Sequence, residues 1–73
     1  MTNPKIHPQD ISIRDQVACV GRELGMRKRC YPKWVSSERM TQKEADQEIA
    51  AMEAVYKTMR EVADKNQLKL FES

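Results

Sequence analysis

Apolar residues near the start of the chain repeat at the spacing of one helix face. They are Ile13, Val17, Val20, Leu24 and Tyr31. At about 100° per residue, they fall within an arc of roughly 60°. Ser12 precedes this run and Asp15 follows it by three residues, which is a typical helix N-cap signal. The pattern predicts an amphipathic helix over residues 12–30.

A second apolar repeat fills the C-terminal half of the chain. Its members alternate at spacings of four and three: Ala45, Ile49, Met52, Tyr56, Met59 and Ala63. This alternation is typical of a coiled-coil seam, and Val55 and Val62 widen it on one side. Thr41 and Glu44 form a capping box just before the repeat, and Asn66 is a plausible C-terminal stop. We predict a helix over residues 42–65, followed by a tail of residues 66–73.

Pro32 separates the two repeats. Proline disfavours helical geometry at the preceding residue and suits the first turn of a new helix. We therefore predict that the first helix ends at Cys30 and that residues 32–36 form a short helical turn. Residues 1–11 contain Pro4 and Pro8 and predict an irregular arm. The predicted fold class is all-α: one domain, residues 1–73, forming a helical hairpin of two long helices with a Pro-initiated turn between them.

The lengths of these elements favour a homodimer. A chain of 73 residues buries a modest fraction of its surface and is marginal as a monomer. The second helix is longer than the first, so part of its apolar seam extends past it and needs cover from the arm, the tail or a second subunit. Cys19, Met26 and Cys30 add a second, weaker stripe on the first helix. We expect a homodimeric bundle of hairpins, with its parallel or antiparallel sense left open.

Two glycines, Gly21 and Gly25, lie inside the predicted first helix. Each costs about 1 kcal/mol relative to alanine in a helix interior. With Ala18 they form a smooth strip beside the apolar face. Close approach of another helix explains them better than phosphate binding, because no strand–loop–helix context surrounds them.

Charge is unevenly distributed along the chain. The net charge is +2, but residues 1–43 carry nine Lys or Arg against four Asp or Glu, and residues 44–73 carry four against seven. One interpretation is that two packed helices attract each other through opposite charges. The other is a basic surface for nucleic acid or for an acidic protein partner.

The most distinctive segment surrounds Pro32. It contains the only Trp, one of two Tyr and a cluster of cations. Arg and large aromatics are the side chains that most often anchor protein interfaces. The candidate partner-binding residues are Arg27, Lys28, Tyr31, Lys33, Trp34 and Arg39.

Three interpretations of this segment stay open. Cations near a helix C-terminus are favoured by the helix dipole, and Tyr31 and Trp34 could be the plug of the hairpin's closed end. Nucleic acid is a second possibility, although the exposed positions early in the second helix are acidic. Recognition of a protein partner is the third, and it is the one we favour.

Catalysis, metal binding and membrane insertion are not indicated. Cys19 and Cys30 are about 16 Å apart on one helix, too far for a disulfide, which suits a reduced cytoplasmic protein. With His7 as the only histidine, no zinc-type ligand set exists. No apolar run approaches the length of a membrane span. We expect no enzymatic activity, no cofactor and no metal.

Residues 16–62 resemble a family of small phage and prophage proteins. The matching motifs are Tyr31-Pro32-Lys33-Trp34-Val35, Arg39-Met40-Thr41, Ala45-Asp46 and Glu48-Ile49, together with Val17-Ala18-Cys19-Val20 and Arg22-Glu23-Leu24. The whole chain is similar to the anti-quorum-sensing proteins of Mu-like Pseudomonas phages. That resemblance implies an all-helical dimer in the host cytoplasm. It also implies binding to the DNA-binding domain of the host's quorum-sensing transcriptional activator, and inhibition of a pilus-assembly ATPase.

One residue departs from the family pattern. Glu38 stands just before Arg39-Met40-Thr41, where the family pattern has Gly. The departure puts the geometry of the predicted loop in doubt.

Overall fold

The computed structural model describes the backbone of residues 6–72 and the side chains of residues 6–66. A short 3-10 turn, Pro8–Asp10, precedes two helices, α1 (Ile13–Ser36) and α2 (Gln42–Glu72). The helices pack against each other as a hairpin. The predicted all-α fold class is therefore confirmed.

The start of α1 follows the predicted cap. The Ser12 hydroxyl accepts a hydrogen bond from the Asp15 backbone N–H at 3.1 Å. The Gln16 side-chain amide donates to the Ile11 carbonyl at 3.0 Å and ties the arm to the first turn. The contact with Ser12 satisfies one of the backbone N–H groups that a helix start leaves without a partner.

The predicted end of the first helix is wrong. α1 runs unbroken through Pro32 to Ser36, so the predicted helix and the predicted turn are one element. Inside a helix, proline lacks the N–H for one backbone hydrogen bond and its ring crowds the carbonyl four residues earlier, at a cost of about 3 kcal/mol, although its fixed φ is itself helical. Tyr31 and Val35 are both half-buried. Continuing the helix keeps Tyr31 and Val35, one turn apart on one face, half-buried in the hairpin, and this burial offsets the cost of Pro32.

A Schellman motif terminates α1. The Glu38 N–H donates to the Val35 carbonyl at 3.1 Å, and the Arg39 N–H donates to the Trp34 carbonyl at 2.9 Å. Glu38 has a φ of 63° and is the non-glycine residue with positive φ in the described chain. This left-handed geometry explains why glycine suits the position and why Glu38 is a departure with a conformational cost.

α2 begins where it was predicted to begin, but it extends beyond its predicted end at residue 65. Thr41 Oγ1 accepts from the Glu44 N–H at 3.0 Å, and the Thr41 N–H donates to Glu44 Oε1 at 3.2 Å, which is the predicted capping box. The helix continues past Asn66 to Glu72. No Gly or Pro lies between positions 66 and 72, and Gln, Leu, Lys and Glu all favour helix there.

Packing between the helices is shallow. Among the described side chains, Ala45 is the one classed as buried, at 2% exposure. The remaining seam positions are only half-buried: Ile13, Val17, Val20, Leu24, Ile49, Met52, Tyr56, Met59 and Ala63. The shortest dimension of the molecule is 14 Å, close to the diameter of one helix with its side chains. The hairpin is therefore a single layer with two broad sides.

α1 lies close to α2 at Gly21. A Cβ built there would meet the Tyr56 ring carbon Cε1 at 3.2 Å, whereas one at Gly25 would meet only the Arg29 guanidinium at 3.9 Å. Close helix approach therefore explains Gly21 but not Gly25.

Candidate functional site

Arg27 connects the two helices. Its Nε donates to Glu23 Oε1 at 3.0 Å, and its Nη1 donates to the Glu48 backbone carbonyl at 3.0 Å. The same Nη1 lies 3.5 Å from Glu48 Oε2. The hydrogen bond to Glu23 raises the pKa of the Arg27 guanidinium above its ordinary value. With 19% of its side chain exposed, Arg27 is largely occupied within the hairpin.

Arg27 also begins a stack of three side chains. Its guanidinium carbon lies 5.9 Å from the centre of the Tyr31 ring. The Tyr31 and Trp34 ring centres are 5.3 Å apart, with the rings tilted by 33°. Such cation–π and aromatic contacts each contribute about 0.5–1.5 kcal/mol. The stack therefore favours the observed orientation of Trp34.

Trp34 is not buried inside the hairpin. It is 39% exposed although it lies one turn from the end of α1. Tyr31 is half-buried beneath it. A rigid, half-exposed indole is a surface that a partner can bury with little loss of side-chain freedom.

Lys28 contacts α2 weakly. Its Nζ lies 3.9 Å from Glu53 Oε2, and both side chains are about half exposed, at 53% each. Exposed pairs of this length contribute about 0–1 kcal/mol. Lys28 therefore contributes little to holding the two helices together.

Lys33 and Arg39 are the exposed cations beside Trp34. Lys33 precedes Trp34 in α1, and the Arg39 N–H bonds the Trp34 carbonyl. Among the described side chains, neither makes an ion pair. Arg39 also lines a shallow depression of about 340 Å³ between the two helix ends, bordered by Val35, Met40 and Thr41.

The six predicted residues thus fall into two groups. Arg27, Tyr31 and, loosely, Lys28 contact other parts of the hairpin, while Lys33, Trp34 and Arg39 present exposed surface. We call Lys33, Trp34 and Arg39 the exposed triad.

The carboxylates that hold Arg27 and Lys28 were not predicted. Glu23 lies four residues before Arg27, a spacing at which helical side chains pair, so this contact had a sequence signal. Glu48 and Glu53 had none, because their pairing depends on the relative position of the two helices.

Two kinds of site are absent from the part of the chain that the structure describes. No three His, Cys, Asp or Glu side chains gather there in a way that could hold a metal ion. Neither helix contains, within its described residues, a stretch long and apolar enough to cross a bilayer. Cys19 and Cys30 are free thiols.

Comparison with known proteins finds no matching family model, no matching curated protein and no matching solved structure.

Proposed function

We propose that this chain is a non-enzymatic binding protein that occupies and inhibits a host regulatory protein through the exposed triad. The observation that carries the proposal is the state of Trp34: stacked on Tyr31, 39% exposed and flanked by exposed cations. The hairpin needs neither the free face of this indole nor the charges of Lys33 and Arg39.

The chemistry of the triad favours a protein partner with an acidic rim around an apolar pocket. Trp and Arg are enriched in the energetically dominant centres of protein interfaces, and Lys at the rim accelerates association with an acidic partner. A nucleic-acid groove is less well matched, because Glu38 and Glu44 border the depression beside Arg39.

The resemblance to small phage proteins supplies the proposed target. We propose a quorum-sensing transcriptional activator as the bound host protein, with a pilus-assembly ATPase as a second target. The chain acts in the host cytoplasm as a homodimer. Binding across the DNA-contacting surface of such an activator would block transcription without any catalytic step.

Removal of the two triad cations tests the proposal. We expect Lys33→Ala with Arg39→Ala to weaken binding to the purified DNA-binding domain of the activator at least tenfold in isothermal titration calorimetry, about 1.4 kcal/mol. Helix content by circular dichroism should stay unchanged, since neither side chain makes an ion pair with another described residue.

A matched control removes two exposed cations elsewhere. Lys57→Ala with Lys65→Ala, both on α2, removes the same two positive charges from the chain as the triad variant does. It should change the affinity less than threefold. Equal losses from both pairs would show that net charge, and not the triad, drives binding. Absence of binding by the unmodified chain, together with a strongly salt-dependent shift of labelled duplex, would replace the proposal with nucleic-acid binding.

A further inference from the structure

The edge of α1 that faces away from α2 carries three exposed cations and an exposed methionine in one row. They are Arg22, Met26, Arg29 and Lys33, at successive spacings of four, three and four residues. At about 100° per residue, they fall within an arc of roughly 60°, on the side of α1 opposite its apolar seam. The row extends for about 16 Å along the helix axis. We call these four residues the outer row.

The hairpin supplies no counter-charge to the outer row. Among the described side chains, Arg22, Arg29 and Lys33 make no ion pair. By contrast, Arg27 and Lys28 each meet a carboxylate of α2. Positive charges aligned on one edge attract an acidic partner and repel a basic one. The outer row therefore favours an acidic occupant.

The apolar member of the outer row favours a protein as that occupant. Met26 lies between Arg22 and Arg29 and is 42% exposed. A methionine side chain adapts its shape to apolar groups of a partner, whereas the phosphate contacts that dominate nucleic-acid binding give it nothing to pack on. Asp15 lies on the same edge, seven residues before Arg22, and is exposed. Its carboxylate would repel a phosphate backbone that continued along the edge.

Gly25 opens a space beside Met26. Four neighbouring side chains of a helix border the hole into which a packed helix inserts one side chain, and Arg22, Gly25, Met26 and Arg29 border such a hole. A Cβ built on Gly25 would meet only the Arg29 guanidinium, at 3.9 Å, so this corner of the hole is open. Packing against α2 does not account for Gly25, whereas insertion of an apolar side chain from another helix does.

We propose that the outer row binds an acidic amphipathic helix of a protein partner, lying antiparallel to α1. Carboxylates of that helix pair with Arg22, Arg29 and Lys33, and one apolar side chain between them enters the hole beside Met26. The antiparallel sense aligns the two helix dipoles favourably. This inference goes beyond the proposed function, because it adds a second surface that meets the exposed triad at Lys33 and specifies the charge and secondary structure of what it binds.

A synthetic helix tests this surface without any regulator. The probe is an alanine-based peptide, held helical by a side-chain lactam on its far side. Its glutamates follow each other at spacings of four and seven residues, with a leucine within the wider gap, which repeats the order from Lys33 back to Arg22. In NMR titrations of the 15N-labelled chain at low ionic strength, we expect saturable shifts concentrated at the amides of the outer row and Gly25. The dissociation constant should be below about 1 mM.

Variants of the chain separate the row from net charge and from stability. Arg22→Ala with Arg29→Ala should weaken peptide binding at least fivefold, without loss of helix content by circular dichroism. The control, Lys57→Ala with Lys65→Ala, removes two exposed cations from α2 and should change binding less than twofold. Gly25→Leu fills the hole and should also weaken binding at least fivefold, although leucine favours helix more than glycine does.

Four results would overturn the outer row as a site for an acidic helix. They are the absence of shifts, equal losses from the two cation pairs, equal binding of a peptide with glutamine in place of glutamate, and tighter binding of a DNA duplex at the same amides. The last result would identify a phosphate-binding edge instead. The peptide contains no part of the regulator, so this test and that of the Lys33 and Arg39 variants can each fail while the other stands.

Discussion

The two ends of the hairpin are stabilised in different ways. The closed end, residues 27–48, contains the Schellman motif, the capping box, the Arg27–Glu48 contact and the buried Ala45. The open end, residues 6–20 and 55–66, contains half-buried seam residues and the exposed side chains of Ile11 and Val62. Between the helices, the Arg27–Glu48 contact of the closed end joins residues 21 apart in the chain, whereas Gly21 and Tyr56, towards the open end, are 35 apart.

This difference affects the entropic cost of forming each end. Closing a shorter loop costs less conformational entropy, so the contacts of the closed end form at a lower entropic cost. The open end leaves the apolar side chains of Ile11, Val55 and Val62 exposed to water. The proposed binding surface belongs to the closed end.

The largest expected effect comes from Ala45, at the centre of the closed end. Ala45→Asp places a charge where 2% of the residue is exposed. We expect a loss of about 3 kcal/mol in the free energy of unfolding, because a buried charge without a partner is strongly destabilising. Urea unfolding followed by circular dichroism, at fixed chain concentration, measures it.

Ala50→Asp is the control for this experiment. Ala50 is exposed on the same helix, so the added charge stays in water and stability should change by less than about 0.5 kcal/mol. Equal effects at both positions would mean that the closed end has no special packing at Ala45.

A substitution in the loop should change the free energy of unfolding by a smaller amount and in the opposite direction. Glu38 has a φ of 63° in the Schellman motif. Glu38→Gly should raise the free energy of unfolding by about 1 kcal/mol, because glycine adopts this left-handed conformation without a Cβ clash. The same urea titration measures the gain.

Glu38→Ala separates conformation from charge. Alanine keeps the Cβ and removes the carboxylate, so it should give none of the gain. A gain from alanine equal to that from glycine would indicate charge repulsion at the loop and not backbone strain.

Sequence patterns predicted the hairpin because its signals are local. The Ser12 cap, the Thr41–Glu44 box and the two apolar repeats each depend on residues within one or two turns of each other. The predicted end of the first helix at Cys30 was wrong, because that prediction considered only the local conformational preference of Pro32 and its neighbours. The half-burial of Tyr31 and Val35, on either side of Pro32, depends on the packed hairpin and is a tertiary effect.

The residues of the candidate site could be predicted from the sequence. Which of them contact the rest of the hairpin and which stay exposed could not. Sequence placed Arg27 and Lys33 in one cationic cluster. Only the relative position of the helices shows that Arg27 reaches Glu48 while Lys33 makes no ion pair with another described residue. Glu38 is an intermediate case, since the resemblance led us to expect glycine there and the φ of 63° gives the physical reason why glycine suits the position.

The smallest predicted effect concerns the two glycines that lie between the ends of the hairpin. Gly25→Ala should raise the free energy of unfolding by about 0.5–1 kcal/mol, because alanine favours helix and its Cβ would enter open space. Gly21→Ala is the matched variant one turn away, where the same helical gain is offset by the 3.2 Å approach to Tyr56. Parallel urea titrations should therefore show a gain at Gly25 and none at Gly21. Equal gains would mean that the helices separate easily near Gly21, and that tight packing is confined to the closed end.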